Sequence, residues 1–303
     1  MSHINNYKIA ELILSLTFAE GQKNDTSLVP SLEPFRYANR EYSEEELFFH
    51  LHIDDTLRPV PKAERTRIKA IDTGNGETIV DKRSNGGYQF IIKDTRGNSC
   101  CLLITDSNFK HCQAALNGTY GMRTFGLNNA LMLIFAFAGS SNNLVLIHAS
   151  LVRNDGWGYA FTAKSGTGKS TQVSMWLRHI PGCDLMNDDN PIIRIIDGEP
   201  FIYGSPWSGK TPCYRNVKAR LGAITQIVRD TENHVDRINP IEAFTTLITS
   251  VSAMKWDSEI FNNICKILSR IIETTPIYNL YCRADKEAAL VCQQAISRSK
   301  KYI

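Results

Sequence analysis

A chain of 303 residues, with 43% hydrophobic and 21% charged residues, has the length for two domains or one large domain and the composition of a globular protein. Its net charge of +3 at pH 7 is too small to indicate nucleic-acid binding, so we expect no nucleic-acid partner. The longest apolar run, residues 130–138, is far shorter than the roughly 20 residues of a membrane-spanning helix, and we expect no membrane span.

The cysteine pattern and the first residues indicate a cytoplasmic protein. None of the eight cysteines has C-x-x-C spacing or the paired histidines of a zinc site, which favours reduced, buried thiols. Glu11 interrupts the apolar stretch 9–18, and no basic segment precedes it, so a signal peptide is not expected.

Residues 1–140 are predicted to form a smaller, mainly antiparallel β domain with a closing helix. The stretches 46–53 and 88–93 have the pattern of strands, and Gly-Asn-rich turns lie between the strands. The apolar run near 128–138 is predicted to be the helix. His50 and His52 lie on one face of the first strand; a metal pair is one interpretation, but no third ligand has suitable spacing, and we interpret them as solvent-facing.

Residues 141–303 have an α/β pattern, with strands and helices interleaved. Strands are predicted at 144–152, 159–162, 184–186, 191–196, 201–203, 222–228 and 277–282. Helices are predicted at 240–251, 258–273 and 286–297, and another follows residue 168. The sequence therefore predicts an α/β domain in a chain that is α+β overall.

The stretch 163–170, Ala-Lys-Ser-Gly-Thr-Gly-Lys-Ser, matches the phosphate-loop pattern G-x-x-x-x-G-K-[ST] except at Ala163. Backbone N–H groups of such a loop cradle the phosphates of ATP, the lysine approaches the β- and γ-phosphates, and the final hydroxyl binds Mg²⁺. Ala163 indicates that the loop begins extended and turns later, at its glycines. The predicted nucleotide-binding residues are Ser165, Gly166, Thr167, Gly168, Lys169, Ser170 and Thr171.

Asp188 and Asp189 follow Lys169 by 19 and 20 residues and come directly after a short apolar strand. In phosphate-loop enzymes a neighbouring strand delivers an aspartate to the metal. Two adjacent carboxylates allow one to hold Mg²⁺ while the other accepts a proton from an incoming hydroxyl. An Asp-Asp-Asn-Pro turn with no chemical role is the alternative.

The stretches 147–152, 163–170 and 187–189, in this order and spacing, resemble the catalytic domain of HPr kinase/phosphorylase and its bacterial relatives. The nucleotide core of that family is shared with ATP-dependent phosphoenolpyruvate carboxykinases. The resemblance covers roughly residues 144–303 and implies a phosphate-loop core with a mixed sheet. It further implies that Asp188 is the base, His148 its neighbour and tuner, Asp189 the carboxylate on the Mg²⁺ side, and Lys169 a stabiliser of the transferred phosphoryl group. Because members of that family form oligomers, it also implies a homo-oligomer.

The chain departs from both families at the acceptor end. Thr171 stands where HPr kinases usually carry an acidic residue, and Asn190-Pro191 stands where carboxykinases tend to show Glu-His. We therefore expect an ATP- and Mg²⁺-dependent phosphotransferase that acts on a hydroxyl of a small molecule or of a protein serine. A non-catalytic ATP-binding regulatory module and a carboxykinase-like enzyme stay open as alternatives.

The stretch 204–211, Gly-Ser-Pro-Trp-Ser-Gly-Lys-Thr, is a further candidate part of the site. A loop with two glycines and a cation could close over bound phosphates, so that Lys210 or Arg215 contacts the γ-phosphate or an anionic acceptor. An ordinary surface loop is the alternative.

Overall fold

A computed structural model describes residues 4–38, 40–72, 75–164, 166–209 and 211–298. The chain divides into two compact units, Met1–Ala138 and Gly139–Ile303. Both combine helices with a mixed β-sheet. In the described part of the chain, no helix has both the length and the apolar character that crossing a membrane requires.

The first unit contains one eight-stranded sheet in the order β1-β2-β3-β8-β7-β6-β5-β4. The pairs β2–β3 and β3–β8 are parallel, and the other neighbours are antiparallel. Its strands are β1 Ile4–Ile9, β2 Leu12–Phe18, β3 Leu47–Ile53, β4 Arg65–Asp72, β5 Glu77–Arg83, β6 Tyr88–Lys93, β7 Ser99–Thr105 and β8 His111–Leu116.

Helix α1, Tyr120–Gly139, packs on this sheet through aromatic side chains. Phe135 contacts Phe48 at a ring distance of 5.2 Å, and Phe137 contacts Phe109 at 5.6 Å. The helix begins well before residue 128 because Thr119 starts it: the N–H of Arg123 donates to the Thr119 carbonyl at 2.9 Å. The first half of the helix was not predicted because it contains Gly121 and Gly126, and glycine is unfavourable in helix interiors.

The second unit contains a nine-stranded sheet with the main order β12-β10-β11-β15-β14-β13-β9, and β17 pairs with both β15 and β16. Its strands are β9 Leu144–Leu146, β10 Ala149–Asn154, β11 Trp157–Thr162, β12 Asp184–Asp189, β13 Ile192–Ile196, β14 Glu199–Tyr203, β15 Lys218–Arg229, β16 His234–Arg237 and β17 Ile277–Cys282. Its helices are α2 Lys169–His179, α3 Pro240–Ser250, α4 Ser258–Thr274 and α5 Lys286–Ile296.

Strand β15 is the centre of the second sheet. It runs parallel to β11 and β17, and its first residues pair antiparallel with β14. The core between the sheet and helices α2 and α5 is built around Trp176, which is fully buried and lies 5.3 Å from the ring of Tyr159 and 5.5 Å from that of Phe161. This packing holds the first turn of α2, and Lys169 with it, beyond the end of β11.

The strand predicted at 144–152 is interrupted at Ile147 and His148. The N–H of Ile147 donates to Pro191, and that of His148 donates to Ser250 at 2.6 Å, so neither residue continues a regular ladder. Before the break β9 pairs with β13, and after it β10 pairs with β11 and β12. In the strand order β9 is last and β10 is second, so His148 lies in the short connection between two strands at different sides of the sheet order.

Two further elements differ from the prediction. Strand β12 continues through Asp189 because residues 187–189 pair with β10, a register that their polar side chains conceal. Strand β16, which pairs with β17, was not predicted, since its sequence His-Val-Asp-Arg is short and polar.

Candidate functional site

The stretch 163–170, predicted from the sequence to be a phosphate loop, connects β11 to α2. Gly166 and Gly168 adopt positive φ angles of 76° and 128°, a conformation that glycine accepts without strain. The N–H of Gln172 donates to the Gly168 carbonyl, so the helix begins at once and its first N–H groups point to the open end of the loop. Ala163 is not among the described residues with positive φ, which explains why alanine can replace the usual glycine there. Ser165 lies outside the described residues.

Arg229, the last residue of β15, holds the loop from the side. Its Nη2 donates to the Gly166 carbonyl at 2.6 Å and its Nε to the Thr167 carbonyl at 3.1 Å. Carbonyls bound in this way face the arginine, which leaves the anion side of the loop to N–H groups. Sequence reasoning missed Arg229, because only the parallel pairing of β11 and β15 brings it to the loop.

Lys169, His148 and Asp189 form a hydrogen-bonded chain. Lys169 Nζ lies 2.8 Å from His148 Nε2, and His148 Nδ1 lies 3.1 Å from Asp189 Oδ1. An ammonium group has only donors, so Nε2 accepts and the ring proton of the neutral imidazole lies on Nδ1, where it is donated to the carboxylate. The structure therefore brings together three of the residues selected from the sequence.

The electrostatics of this chain favour a neutral His148. Burial lowers the pKa of His148 and the charge of Lys169 lowers it further, against the opposing effect of Asp189 and Asp188. Burial also lowers the pKa of Lys169, and the same two carboxylates oppose that shift. The lowered pKa of His148 supports a neutral imidazole between the Lys169 side chain and the Asp189 carboxylate.

Asp188 lies beside the loop hydroxyl. Its carboxylate is 6% exposed and accepts hydrogen bonds from Ser150 Oγ and, at 3.3 Å, from Ser170 Oγ. Ser150 is its direct neighbour in the β10–β12 register. Among the described residues no cationic side chain forms an ion pair with Asp188, and hydroxyl groups donate to both of its oxygens.

Asp189 has a strained backbone, with φ at 145°, a region that residues with a side chain rarely adopt. The loop 204–209 holds this conformation: the Asp188 carbonyl accepts hydrogen bonds from the Gly209 N–H and from Ser208 Oγ. Asn187 is fully buried and anchors the same loop by donating to the carbonyls of Ser205 and Trp207. Asp189 itself is about one-third exposed, so a ligand can approach it.

Arg215 does not join the site. Its Nη1 donates to Asp184 Oδ2 at 2.8 Å and to the Leu185 carbonyl, at the start of β12, whereas Asp188 and Asp189 lie at the end of that strand. Arg153 pairs with the same carboxylate, so Asp184 binds two arginines in place of a ligand. The phosphate or acceptor contact of Arg215 therefore stays a prediction, and in this structure its guanidinium binds Asp184. Lys210 lies outside the described residues.

A pocket of about 360 Å³ adjoins the loop. Gly166, Gly168 and Thr171 line one side of it, and the other side is formed at the ends of the parallel strands β15 and β17, where Ile227, Asp230 and Arg283 lie. Ligands of open α/β sheets commonly bind at the carboxyl ends of parallel strands, and this volume is in the usual range for a small-molecule site.

Comparisons with known proteins find similar solved structures but no sequence match. No protein-family model and no curated protein matches the chain. Among solved structures, the Hpr(Ser) kinase/phosphatase from Coxiella burnetii is similar to it over 49% of this chain and 86% of that chain, with 11% sequence identity and a TM-score of 0.27. A similarity at this TM-score assigns neither a fold family nor a function to the chain.

Proposed function

We propose that the second unit binds ATP with Mg²⁺ and transfers the γ-phosphoryl group to a hydroxyl of a small molecule or of a protein serine. The observation that carries this proposal is the chain Lys169–His148–Asp189, which lies directly beside the pair Ser170–Asp188 at the end of a phosphate loop. Phosphoryl transfer requires a phosphate cradle, a cation, a metal-binding carboxylate and a group that positions the acceptor hydroxyl. These described residues can supply each of them.

The nucleotide would bind across the loop. The N–H groups of the loop and of the first turn of α2 face the β- and γ-phosphates, and Arg229 keeps the competing carbonyls turned away. The adjoining pocket offers space for the nucleoside, beside Thr171. Lys169 would leave His148 for the phosphates, because its depressed pKa reflects burial that a polyanion would compensate.

Mg²⁺ fits the pair Ser170 and Asp188. One hydroxyl and one carboxylate, with phosphate oxygens and water, are a common ligand set for this ion. Asp188 is the better of the two aspartates for this role, because it already contacts Ser170 and forms no ion pair within the described residues. When bound, Mg²⁺ supplies neutralising charge to the phosphates.

Asp189 is then the group that receives the acceptor's proton. It is more exposed than Asp188, His148 orients it, and its strained backbone is typical of catalytic positions. The acceptor oxygen forms a bond to the γ-phosphorus, its proton passes to the Asp189 carboxylate, and the bond from that phosphorus to the β–γ bridging oxygen breaks with its electrons leaving on ADP. The two aspartates thus exchange the roles that the family resemblance implied for them.

Incubation of the purified protein with γ-labelled ATP, Mg²⁺ and either free serine or cell extract tests the proposal. Label is expected in a hydroxyl product, and Lys169→Ala is expected to abolish the transfer, while exchange of the exposed Arg178 for Gln leaves it unchanged. ATP binding without any transfer would contradict the proposal and would instead support a regulatory nucleotide-binding module.

A further inference from the structure

The sheet of the first unit has a pocket of about 440 Å³ lined by three histidines and an arginine. His50 and His52 lie on the same face of β3, and the parallel pairing of β3 with β8 places His111 beside His50. Arg83, at the end of β5, lines the same pocket. Sequence spacing could not reveal that His111 is a neighbour of His50, because only the pairing of β3 with β8 brings these distant positions together. From this arrangement we infer that the first unit binds a small ligand bearing an oxyanion, a carboxylate or a phosphate, between Arg83 and the three histidines.

Arg83 has no ion-pair partner among the described residues. Its Nη1 donates to the Thr105 carbonyl at 3.0 Å, its Nε is buried without an acceptor, and none of the described carboxylates forms an ion pair with it. Asp106 lines the same pocket, but its two oxygens accept the backbone N–H groups of Lys110 and His111. A partly buried guanidinium without a counter-charge is costly, and an oxyanion is the ligand that its planar donor set matches.

His50 and His52 are not simply solvent-facing, as the sequence suggested. Both are partly buried, and the Thr17 hydroxyl lies 2.9 Å from Nε2 of His50 and 2.9 Å from Nδ1 of His52. One hydroxyl therefore fixes the orientation of both rings. Protonation of either ring would add a donor and a positive charge beside Arg83.

Binding of an anion to this pocket should tighten as the pH falls. Burial lowers the pKa of His50, and the neighbouring His52 and His111 lower it further. A bound anion would raise the pKa of His50 against all three effects, so anion binding is coupled to proton uptake by this ring. Three carboxylates face these rings. Asp106 lines the pocket, Asp54 interacts electrostatically with His52, and Glu44 lies 3.9 Å from His111.

A metal ion is the competing occupant. Among the residues that the structure describes, no group of three or more His, Cys, Asp or Glu side chains is arranged to hold one. The unpaired Arg83 would also repel a cation. The anion is therefore the occupant that the charges of the pocket favour.

Imidazole NMR of the full-length protein tests the inference at the site itself. Inorganic phosphate and, separately, acetate are titrated at about pH 6 and about pH 8, on either side of the ordinary histidine pKa. The ring signals of His50, His52 and His111 report this pocket without interference from phosphate bound at the loop 163–170. Saturable shifts that are stronger at the lower pH are expected for at least one of the two anions, and the anion that binds more tightly identifies the ligand chemistry.

Matched variants complete the test. Arg83→Gln is expected to weaken anion binding about tenfold or more, because a charged hydrogen bond is lost; Arg96→Gln, the same change in an exposed turn, should leave it unchanged. If Arg83→Gln fails to fold, as judged by its thermal transition, His52→Gln takes its place. The inference is overturned if neither anion shifts the ring signals, if Arg83→Gln binds like the unaltered protein, or if Zn²⁺ alone saturates the rings.

Discussion

At the scale of single residues, the site depends on which carboxylate contacts which partner. Asp188 faces Ser170 and Ser150, whereas Asp189 faces His148 and Asn190. The two residues are adjacent at the end of β12, but Asp189 has a φ of 145° and does not continue the extended backbone on which side chains alternate between faces. Their different partners are the basis of the separate metal-binding and proton-accepting roles that we propose for them.

The strained backbone of Asp189 predicts an unusual order of stability. Asp189→Gly and Asp189→Ala remove the same side-chain contacts, but only glycine accepts a φ of 145° without strain. We expect the glycine variant to be more stable than the alanine variant by about 1 kcal/mol in urea unfolding. An alanine variant of equal or greater stability would show that the backbone at this position is not strained.

Arg229 is predicted to set nucleotide affinity without touching the acceptor. Arg229→Gln should release the carbonyls of Gly166 and Thr167 and weaken ATP binding by about tenfold, as loss of charged hydrogen bonds does. Calorimetry with a nonhydrolysable ATP analogue measures the effect, with Arg178→Gln on the exposed face of α2 as the control. Equal ATP affinity in the two variants would show that Arg229 does not contribute to nucleotide binding by the loop.

At the scale of elements, helix α2 connects the core to the site. Trp176→Ala is expected to lower the free energy of unfolding by about 3–5 kcal/mol, because the side chain is fully buried against Tyr159 and Phe161. Leu177→Ala, on the exposed side of the same helix, should change it by less than about 1 kcal/mol. Denaturant unfolding of both variants measures the difference, and similar losses would contradict this description of the core.

The bounds of the strands and helices show which elements can be predicted from the sequence. Strand β17 and helices α3, α4 and α5 match their predictions to within one residue at each end, because their hydrophobic periodicity is strong and they begin at capping residues such as Asn239 and Asp257. The break at Ile147–His148 was not predictable, since apolar residues continue through it and only the pairing with other segments interrupts the strand.

The candidate site was predictable in part, for a similar reason. Local motifs identified Lys169, Ser170 and the two aspartates, and family resemblance added His148. The contacts of Arg229 and the pairing of Arg215 with Asp184 depend on strand register, which a single sequence does not encode in any local pattern.

At the scale of the whole molecule, both units contain a partly buried histidine whose pKa is lowered, His50 in the first and His148 in the second. A lowered pKa means that the unfolded chain binds protons that the folded chain does not, so stability rises with pH in this range. The free energy of unfolding should therefore fall as the pH drops below about 6.5, toward the pKa of the folded state.

Thermal unfolding between about pH 5.5 and about pH 7.5 checks this dependence. His148→Gln is expected to reduce the slope in the transition of the second unit, because glutamine does not titrate. A variant with an unchanged slope would show that His148 is not the group responsible.

Saturating phosphate should reduce the loss of stability on acidification if the first unit binds the anion, since ligands stabilise the state that binds them.

The central claim is the division of roles between the two aspartates, and one paired measurement tests it most directly. MgATP affinity and the rate of phosphoryl transfer are compared for Asp188→Asn and Asp189→Asn, both of which keep the size of the side chain. Asp188→Asn should lose the Mg²⁺-dependent part of the affinity, whereas Asp189→Asn should keep that affinity and lose about a hundredfold or more in rate. The opposite pattern, with Mg²⁺ dependence lost in Asp189→Asn and retained in Asp188→Asn, would contradict the account.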